Sequence, residues 1–194
     1  MRRRAFSGPG GAALQAATVA PLLVVIGLGV AELAALARDN VALTSLAREG
    51  GRTATTTQAD AGAAAEGPAP AVAAAVRAIQ HAGPRLPKGA VEELWIYRAD
   101  AAGYPLGTGR AARFTECRTD CVVYRWDRAA KEFVLAGGDW STDLSRCAER
   151  SASSLGVYLK ADHRFLTHAV TGSTAISHHA VFPIGPSHRC PDRG

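Results

Sequence analysis

The sequence has 194 residues, a net charge of +5 and 47% hydrophobic residues, which leaves room for one modest domain besides an apolar N-terminal segment. No Lys/Arg cluster and no alternation of basic with aromatic residues occurs after residue 37, so the composition does not favour a nucleic-acid-binding protein. The charge is typical of a weakly cationic, solvated surface.

The N-terminal segment has the pattern of a transmembrane helix. Arginines occupy positions 2–4, and the 21 residues from Gly11 to Ala31 contain no ionisable side chain; Glu32 is the first charge after them. About 20 such residues cross the hydrocarbon of a bilayer, and flanking arginines stay on the cytoplasmic side. We therefore expect a single-pass membrane protein with a cytoplasmic N-terminus and an extracytoplasmic C-terminal domain.

A removable signal peptide is the alternative, because residues 35–37 (Ala-Leu-Ala) form an acceptable cleavage site. Against it, a helical pattern continues beyond this point, with an apolar stripe at helical spacing: Leu33, Leu36, Ala37, Leu43, Leu46 and Ala47. Charged residues are predicted to form the polar side of the same helix: Arg38, Asp39, Arg48 and Glu49. The pattern predicts one helix over 11–57, which cleavage after Ala37 would sever, so we expect the anchor to be retained.

The rest of the chain predicts an α+β domain. Residues 58–90 form an Ala/Gly/Pro-rich linker that includes a short helix over 71–82. Alternating patterns then predict five strands joined by short connections: 91–100, 121–126, 132–137, 154–165 and 173–184. A short helix is expected within 139–150, and short connections favour an antiparallel sheet. The predicted division is a basic leader (1–10), the transmembrane helix and its extension (11–57), the linker (58–90) and a β-rich domain (91–194).

The four cysteines all lie in the part predicted to be exported: Cys117, Cys121, Cys147 and Cys190. An even count in an oxidising compartment favours disulfides, and four cysteines allow three pairings. We favour Cys117–Cys121 with Cys147–Cys190, because the second bond closes a loop of about 44 residues and stabilises the fold by roughly 4 kcal/mol. A zinc site is the weaker alternative, since the only close pair has C-x3-C spacing.

The remaining polar residues give no enzyme signature. His178 and His179 are adjacent, so they point to opposite faces of a strand. A cross-strand pair of His163 and His178, with Asp162 as a third ligand, is a possible metal arrangement among the histidines, but we favour solvent-facing histidines instead. The serines of 151–156 lack a nucleophile elbow. We expect no enzyme activity, no metal and no cofactor.

Two parts of the chain carry a family pattern. The N-terminal part is GGAALQAATVAPLLVVIGLGVAELAAL followed by SLAREGGRTAT, and the C-terminal part is GVYLKADHRFLT followed by STAISHHAVFPIGP. Together they resemble the TadE/TadG-like proteins, the minor pilins or pseudopilins of the tight-adherence (Flp-type) pilus. The resemblance implies a pilin-like fold and a non-enzymatic role in pilus assembly. It also implies contacts with other pilin-like subunits through the N-terminal helix.

The resemblance further implies processing by a prepilin peptidase. Such an enzyme cuts after a glycine and leaves a glutamate fifth in the mature chain, which places the cut here between Gly10 and Gly11. Gln15 stands at the position of that glutamate, so it can accept a hydrogen bond but forms no ion pair. Pro21 is expected to affect helix packing, and Glu32 to make an interfacial or intersubunit contact.

A different class of function is kept open: an anchored or secreted envelope protein whose β domain binds a ligand and has no link to pili. Its candidate contacts are the aromatic residues of the domain: Trp95, Tyr97, Tyr104, Trp126 and Trp140.

Overall fold

The fold comes from a computed structural model that describes residues 9–61, 69–81, 86, 90–106, 114–140, 154–165 and 172–184. Two helices precede five strands. The helices are α1 (Pro9–Ala61) and α2 (Ala69–His81). The strands are β1 (Val91–Ala99), β2 (Cys121–Asp127), β3 (Glu132–Asp139), β4 (Ser154–Arg164) and β5 (Ser173–Pro183). The predicted α+β class and all five predicted strands are confirmed, whereas the short helix expected within 139–150 falls almost wholly outside the described residues.

The strands form one antiparallel sheet in the order β3-β2-β1-β4-β5. Its central strand, β1, is apolar on both faces, with Leu94 and Ile96 on one side and Trp95 and Tyr97 on the other. All four of these side chains are buried. The alternation predicted from the sequence is therefore correct, because successive side chains of a strand point to opposite faces.

The Leu94 face of the sheet carries the helices. The C-terminal half of α1 packs against α2, β4 and β5. The buried apolar residues that the two helices contribute are Ala42, Leu43, Leu46, Ala47, Ala54, Ala71, Val72, Ala75, Val76 and Ile79. Gly50 faces Ile79 of α2, and Gly51 faces the ring of Phe182 in β5. The adjacent glycines therefore let α1 approach both neighbours closely.

The opposite face of the sheet carries an aromatic cluster. The ring of Phe114 stacks on Tyr158 with centroids 4.0 Å apart and meets Trp95 and Tyr97 edge-on. The Tyr97 hydroxyl donates a hydrogen bond to the Gly103 carbonyl oxygen (3.0 Å). Burial, with smaller contributions from Asp100 and Tyr104, raises the pKa of Tyr97 well above its ordinary range. The hydroxyl therefore stays protonated and acts as a donor.

The buried side of α1 differs from the predicted stripe. Leu33 is 68% exposed and Ala37 is exposed, whereas Glu32 (8% exposed) and Asp39 (9%) are buried. Asp39 is therefore buried, although the sequence pattern places it on the polar side of the helix. The helix also runs to Ala61, four residues into the predicted linker. The sheet decides which side of α1 is covered, and it buries Asp39 because a polar partner is present in β4.

Candidate functional site

The candidate site is the N-terminal half of α1, which projects from the domain. Every residue from Gln15 to Ala31 is exposed, although most of these side chains are apolar. The largest apolar residues exposed in this segment are Val19, Leu22, Leu23, Val24, Val25, Ile26, Leu28 and Val30. By length and composition, α1 is the one helix among the described residues that is able to cross a membrane. Water-exposed apolar surface of this extent marks an interaction site.

The residues predicted to direct processing lie at the start of this projecting segment. Gly10 and Gly11 belong to the first turn of α1, and Gln15 is exposed one turn later. The hydroxyl of Thr18 donates a hydrogen bond to the backbone carbonyl oxygen of Gln15 (2.9 Å). Every residue from Gln15 to Ala31 is exposed, so this part of α1 does not pack against the described residues of the domain.

Pro21 lies inside α1 and is exposed. A proline within a helix removes one backbone hydrogen bond, and membrane helices tolerate this where neighbouring groups satisfy the freed carbonyl. Pro21 lies in the exposed half of α1, so we expect its effect to fall on that half and not on the packed half.

Glu32 marks the point where α1 meets the domain. It is the first charged residue after the apolar run, and from Gln15 onward it is also the first buried residue of the helix. The preceding residues to Gln15 are exposed, and packing against α2 and the sheet begins beyond it. Glu32 therefore lies against its own domain at the boundary between the projecting and the packed halves of α1.

A buried polar contact fastens the helix to the sheet just beyond this boundary. Asp39 lies seven residues, about two turns, after Glu32 and thus on the same side of α1. Its Oδ2 accepts a hydrogen bond from Nδ1 of His163 at 2.7 Å, and the His163 side chain is only 2% exposed. A carboxylate only accepts, so Nδ1 carries the proton. Asp39 Oδ1 and His163 Nε2 are buried without a hydrogen-bond partner among the described residues.

The sequence pattern does not predict this contact, although the position of His163 in β4 is one signal of it. His163 follows Leu155, Val157 and Leu159 on the apolar face of β4, as pairing with the inward-facing residues of β1 and β5 shows. A histidine at the end of an inward-facing row requires a polar partner. The row itself does not reveal that the partner is Asp39, since 124 residues separate the two.

Two contacts fix the direction of the sheet relative to α1. His163, near the end of β4, meets Asp39, whereas Phe182, near the end of β5, meets Gly51 further along the helix. Since His163 pairs with Thr174 near the start of β5, β5 runs in the same direction as α1. The end of the sheet where β4 ends and β5 begins is therefore the end nearest to the projecting segment.

The other histidines do not join His163. His178 pairs with Leu159 on the helix face and His179 pairs with Tyr158 on the aromatic face, as the alternation predicts. His178 lies four residues beyond Thr174, the partner of His163, so the cross-strand pair does not form. The ranges that the structure describes contain no group of three residues able to hold a metal ion.

The aromatic residues considered as ligand contacts are divided between both faces of the sheet. Trp95 and Tyr97 are 4% and 0% exposed, and both belong to the aromatic cluster. Trp126 packs edge-on against Phe133 on the helix face, and Trp140 packs against the same core. Tyr104, in the turn after β1, contacts Phe114 and His179. These residues serve packing and form no common surface.

A disulfide joins Cys117 to Cys121, as predicted. It excludes these two cysteines as zinc ligands. It also holds the segment that carries Phe114 against the start of β2, with the sulfur of Cys117 close to Gly138 of β3. Cys147 and Cys190, predicted to pair with each other, lie outside the described residues.

Comparison with protein-family models, curated proteins and solved structures finds no match for this chain.

Proposed function

We propose that this chain is a non-enzymatic, single-pass membrane protein of pilus assembly, a TadE/TadG-like minor pilin or pseudopilin. The observation that carries the proposal is the division of one continuous helix. The first half of α1 is apolar and exposed, and the second half packs on a five-stranded antiparallel sheet. This is the arrangement that the resemblance to pilin-like proteins implies.

The chemistry of the projecting half supports a membrane location. Its exposed residues are apolar from Val19 to Ala31 apart from small glycines, and Glu32 is the first charge. Arginines precede the segment, which favours a cytoplasmic N-terminus and an extracytoplasmic sheet. Alanines and glycines between positions 11 and 20 let neighbouring helices approach closely, as in membrane helix pairs. These features support the proposed contacts of this half of α1 with other pilin-like subunits.

The proposal includes cleavage between Gly10 and Gly11 by a prepilin peptidase. Both residues lie in the first turn of α1, remote from the packed half. Gln15 then stands fifth in the mature chain, where an uncharged amide supports hydrogen bonding to a neighbouring subunit but no ion pair. This substitution favours a role at the base or tip of the pilus, or in priming assembly, over a role as the main repeating subunit.

The test is the intact mass of the mature protein isolated from membranes of cells that express a prepilin peptidase. Loss of ten residues is the expected result. The variant Gly10→Val should stay uncut, and the control Gly8→Val should be processed like the unchanged chain. Loss of 37 residues would instead identify an ordinary signal peptide, and an uncut chain would identify a plain anchor; either result contradicts prepilin-type processing.

The alternative is an envelope protein whose β domain binds a ligand. Two of the residues considered as its ligand contacts are buried inside the domain. Trp95 and Tyr97 are buried in the aromatic cluster, so they do not face a ligand. The intact mass also discriminates here, since a secreted domain released at Ala37 lacks the projecting half of α1.

A further inference from the structure

The two edge strands carry exposed apolar side chains. Outside α1, the large hydrophobic residues exposed among the described residues are Val134 and Leu135 in β3 and Val181 in β5 (44%, 56% and 37% exposed). No described strand pairs with the outer edge of either β3 or β5. The unpaired backbone groups of an edge strand are a template for pairing with another chain.

β5 lacks most of the features by which soluble proteins protect an edge, the exception being Pro183 at its last position. It pairs with β4 over 11 residues without a register shift, and its sequence, STAISHHAVFP, contains no Asp, Glu, Lys or Arg. Natural edge strands are usually short, bulged or charged. β3 is shorter, has a register shift opposite Val123 and Tyr124, and bears charges only at its two ends, Glu132 and Asp139.

The topology determines how two copies are able to meet at these edges. In the antiparallel order β3-β2-β1-β4-β5, strands β3, β1 and β5 share one direction, and β5 runs with α1. Copies whose α1 helices enter one membrane the same way therefore present β5 of one copy parallel to β3 of the next. Antiparallel pairing of two β5 strands would point the two projecting helices in opposite directions, which one membrane does not allow.

We propose that β5 of one copy pairs in parallel with β3 of a second copy, so that the sheet continues from subunit to subunit. This inference rests on the membrane orientation in the proposed function. The contact joins two different surfaces, so it repeats along a ring or a filament and does not stop at a dimer. Parallel strands form evenly spaced hydrogen bonds. By their pairing partners, Val134 and Val181 lie on the aromatic face of the sheet and Leu135 on the helix face, so the joint brings the exposed Val134 and Val181 onto one continuous face.

The charges at the two edges are compatible with this contact. β5 has no formal charge, and β3 has none between its terminal Glu132 and Asp139, so no like charges oppose each other along the joint. Burial lowers the pKa of His178 and of His179, so both are neutral at pH 7. Like charges directly opposite across a strand pair destabilise it, and this joint has none.

The experiment uses the full chain in lipid vesicles, with a photoreactive benzophenone side chain at Val181 and an equal mixture of isotope-labelled and unlabelled copies. After illumination, mass spectrometry identifies the cross-linked peptides. We expect isotopically mixed pairs that join residues 173–183 to residues 132–139. Leu135→Lys should lower their yield roughly tenfold or more, because an added edge charge opposes strand pairing and tenfold corresponds to about 1.4 kcal/mol.

Val41→Lys is the matched control, because Val41 is also an exposed apolar residue (70%) but lies on α1 and not on an edge. It should leave the yield unchanged. Cross-links confined to one copy, or joining β5 to β5 or to α1 of another copy, overturn the proposal, as does an equal loss of yield in the Val41 variant. The intact mass reports separately on the proposed function: cleavage after Gly10 without the β5–β3 cross-link leaves that function standing and overturns the edge pairing alone.

Discussion

At the scale of single residues, the hydrogen bond between Asp39 and His163 joins α1 to β4 through two charge-bearing groups. Both side chains lie in an apolar environment, where an unmade hydrogen bond costs more than it does at the surface. Two further polar atoms, Asp39 Oδ1 and His163 Nε2, are already buried there without a hydrogen-bond partner among the described residues. The contact is thus sensitive to the loss of either residue.

A double-mutant cycle should measure this coupling. We expect Asp39→Ala and His163→Ala each to lower the free energy of unfolding by about 1–3 kcal/mol, because each leaves a buried polar group unpaired. The double variant should lose less than the sum of the two. Denaturant unfolding of the full chain in detergent, followed by near-UV circular dichroism, gives the four values.

The neighbouring pair Asp162 and Arg164 is the control for that cycle. Their charged atoms are 3.9 Å apart and the Arg164 side chain is 79% exposed. Such a surface pair contributes about 0–1 kcal/mol, so its cycle should be close to additive. Additive losses at Asp39 and His163 as well would show that their contact does not stabilise the fold.

Gly156 tests the packing of the aromatic face. A Cβ at this position overlaps the ring of the fully buried Tyr97. We expect Gly156→Ala to lower the free energy of unfolding by about 1–3 kcal/mol through overpacking. Gly137→Ala is the control, since a Cβ there meets nothing within 4 Å. Equal thermal midpoints for the two variants would refute the assignment of Gly156 as the space that Tyr97 requires.

At the scale of elements, the contact between α1 and β5 depends on a residue without a side chain. Gly51 lies in the interior of a helix, where glycine is about 1 kcal/mol less favourable than alanine. Packing explains a glycine at this position, because the ring of Phe182 occupies the space that a Cβ would need.

We therefore expect Gly51→Ala to destabilise the domain, since the overlap costs about 1–3 kcal/mol and outweighs the gain in helix propensity. Combining it with Phe182→Ala should recover part of the loss caused by the overlap. Gly29→Ala serves as the comparison, because nothing lies within 4 Å of a Cβ there. The thermal midpoint of the domain, measured in detergent, should fall for Gly51→Ala and stay unchanged for Gly29→Ala.

The histidines of β5 should make stability depend on pH. Burial lowers the pKa of His178 and His179 below the ordinary value of 6.5, and His179 and Arg48 lower that of His178 further. The unfolded chain then binds protons at a higher pH than the folded chain does. The contribution of these two histidines to the free energy of unfolding is therefore fully present above about pH 6.5, and it is lost as the pH falls through their folded pKa values.

The double variant His178→Gln, His179→Gln should accordingly lose less stability than the unchanged chain when the pH is lowered from about 7.5 to about 5.5. Thermal unfolding at a series of pH values measures the difference. The control is His81→Gln, at the exposed end of α2, which should retain the original pH dependence. An identical pH profile for the double variant would contradict the role of the two histidines.

At the scale of the whole molecule, α1 connects two environments. Its packed half shares a core with α2 and the sheet, and its projecting half exposes apolar side chains that only another apolar phase or other helices would cover. Glu32 lies at the boundary between the projecting and the packed halves of α1. Under the proposed function, the hydrocarbon of a bilayer is that apolar phase.

Cysteine labelling in intact cells tests this arrangement. Val24 and Thr56 are both exposed on α1. A membrane-impermeant maleimide should label Thr56→Cys and not Val24→Cys, because a bilayer shields only the projecting half. Both should react after solubilisation in denaturing detergent, and the unchanged chain gives the background. Equal labelling of the two variants in intact cells would exclude a membrane-embedded segment at Val24.

The local pattern of the sequence predicts the five strands, the ends of the two helices to within four residues, and the opposite faces of His178 and His179. These features follow from local backbone periodicity, which a single segment displays without its partners. The sequence also favours the Cys117–Cys121 bond, as part of a pairing in which Cys147–Cys190 closes a long loop.

Packing between elements selects the side of α1 that is buried. The periodicity of the leucines favours Leu33 over Glu32 and places Asp39 on the polar side, yet Glu32 and Asp39 are buried and Leu33 is exposed. The pairing of Asp39 with His163, the approach of Gly51 to Phe182 and the position of β3 and β5 at the two edges were equally absent from the local pattern. Each depends on residues far apart in the chain, and the free energy of such contacts is set by how the elements pack against one another.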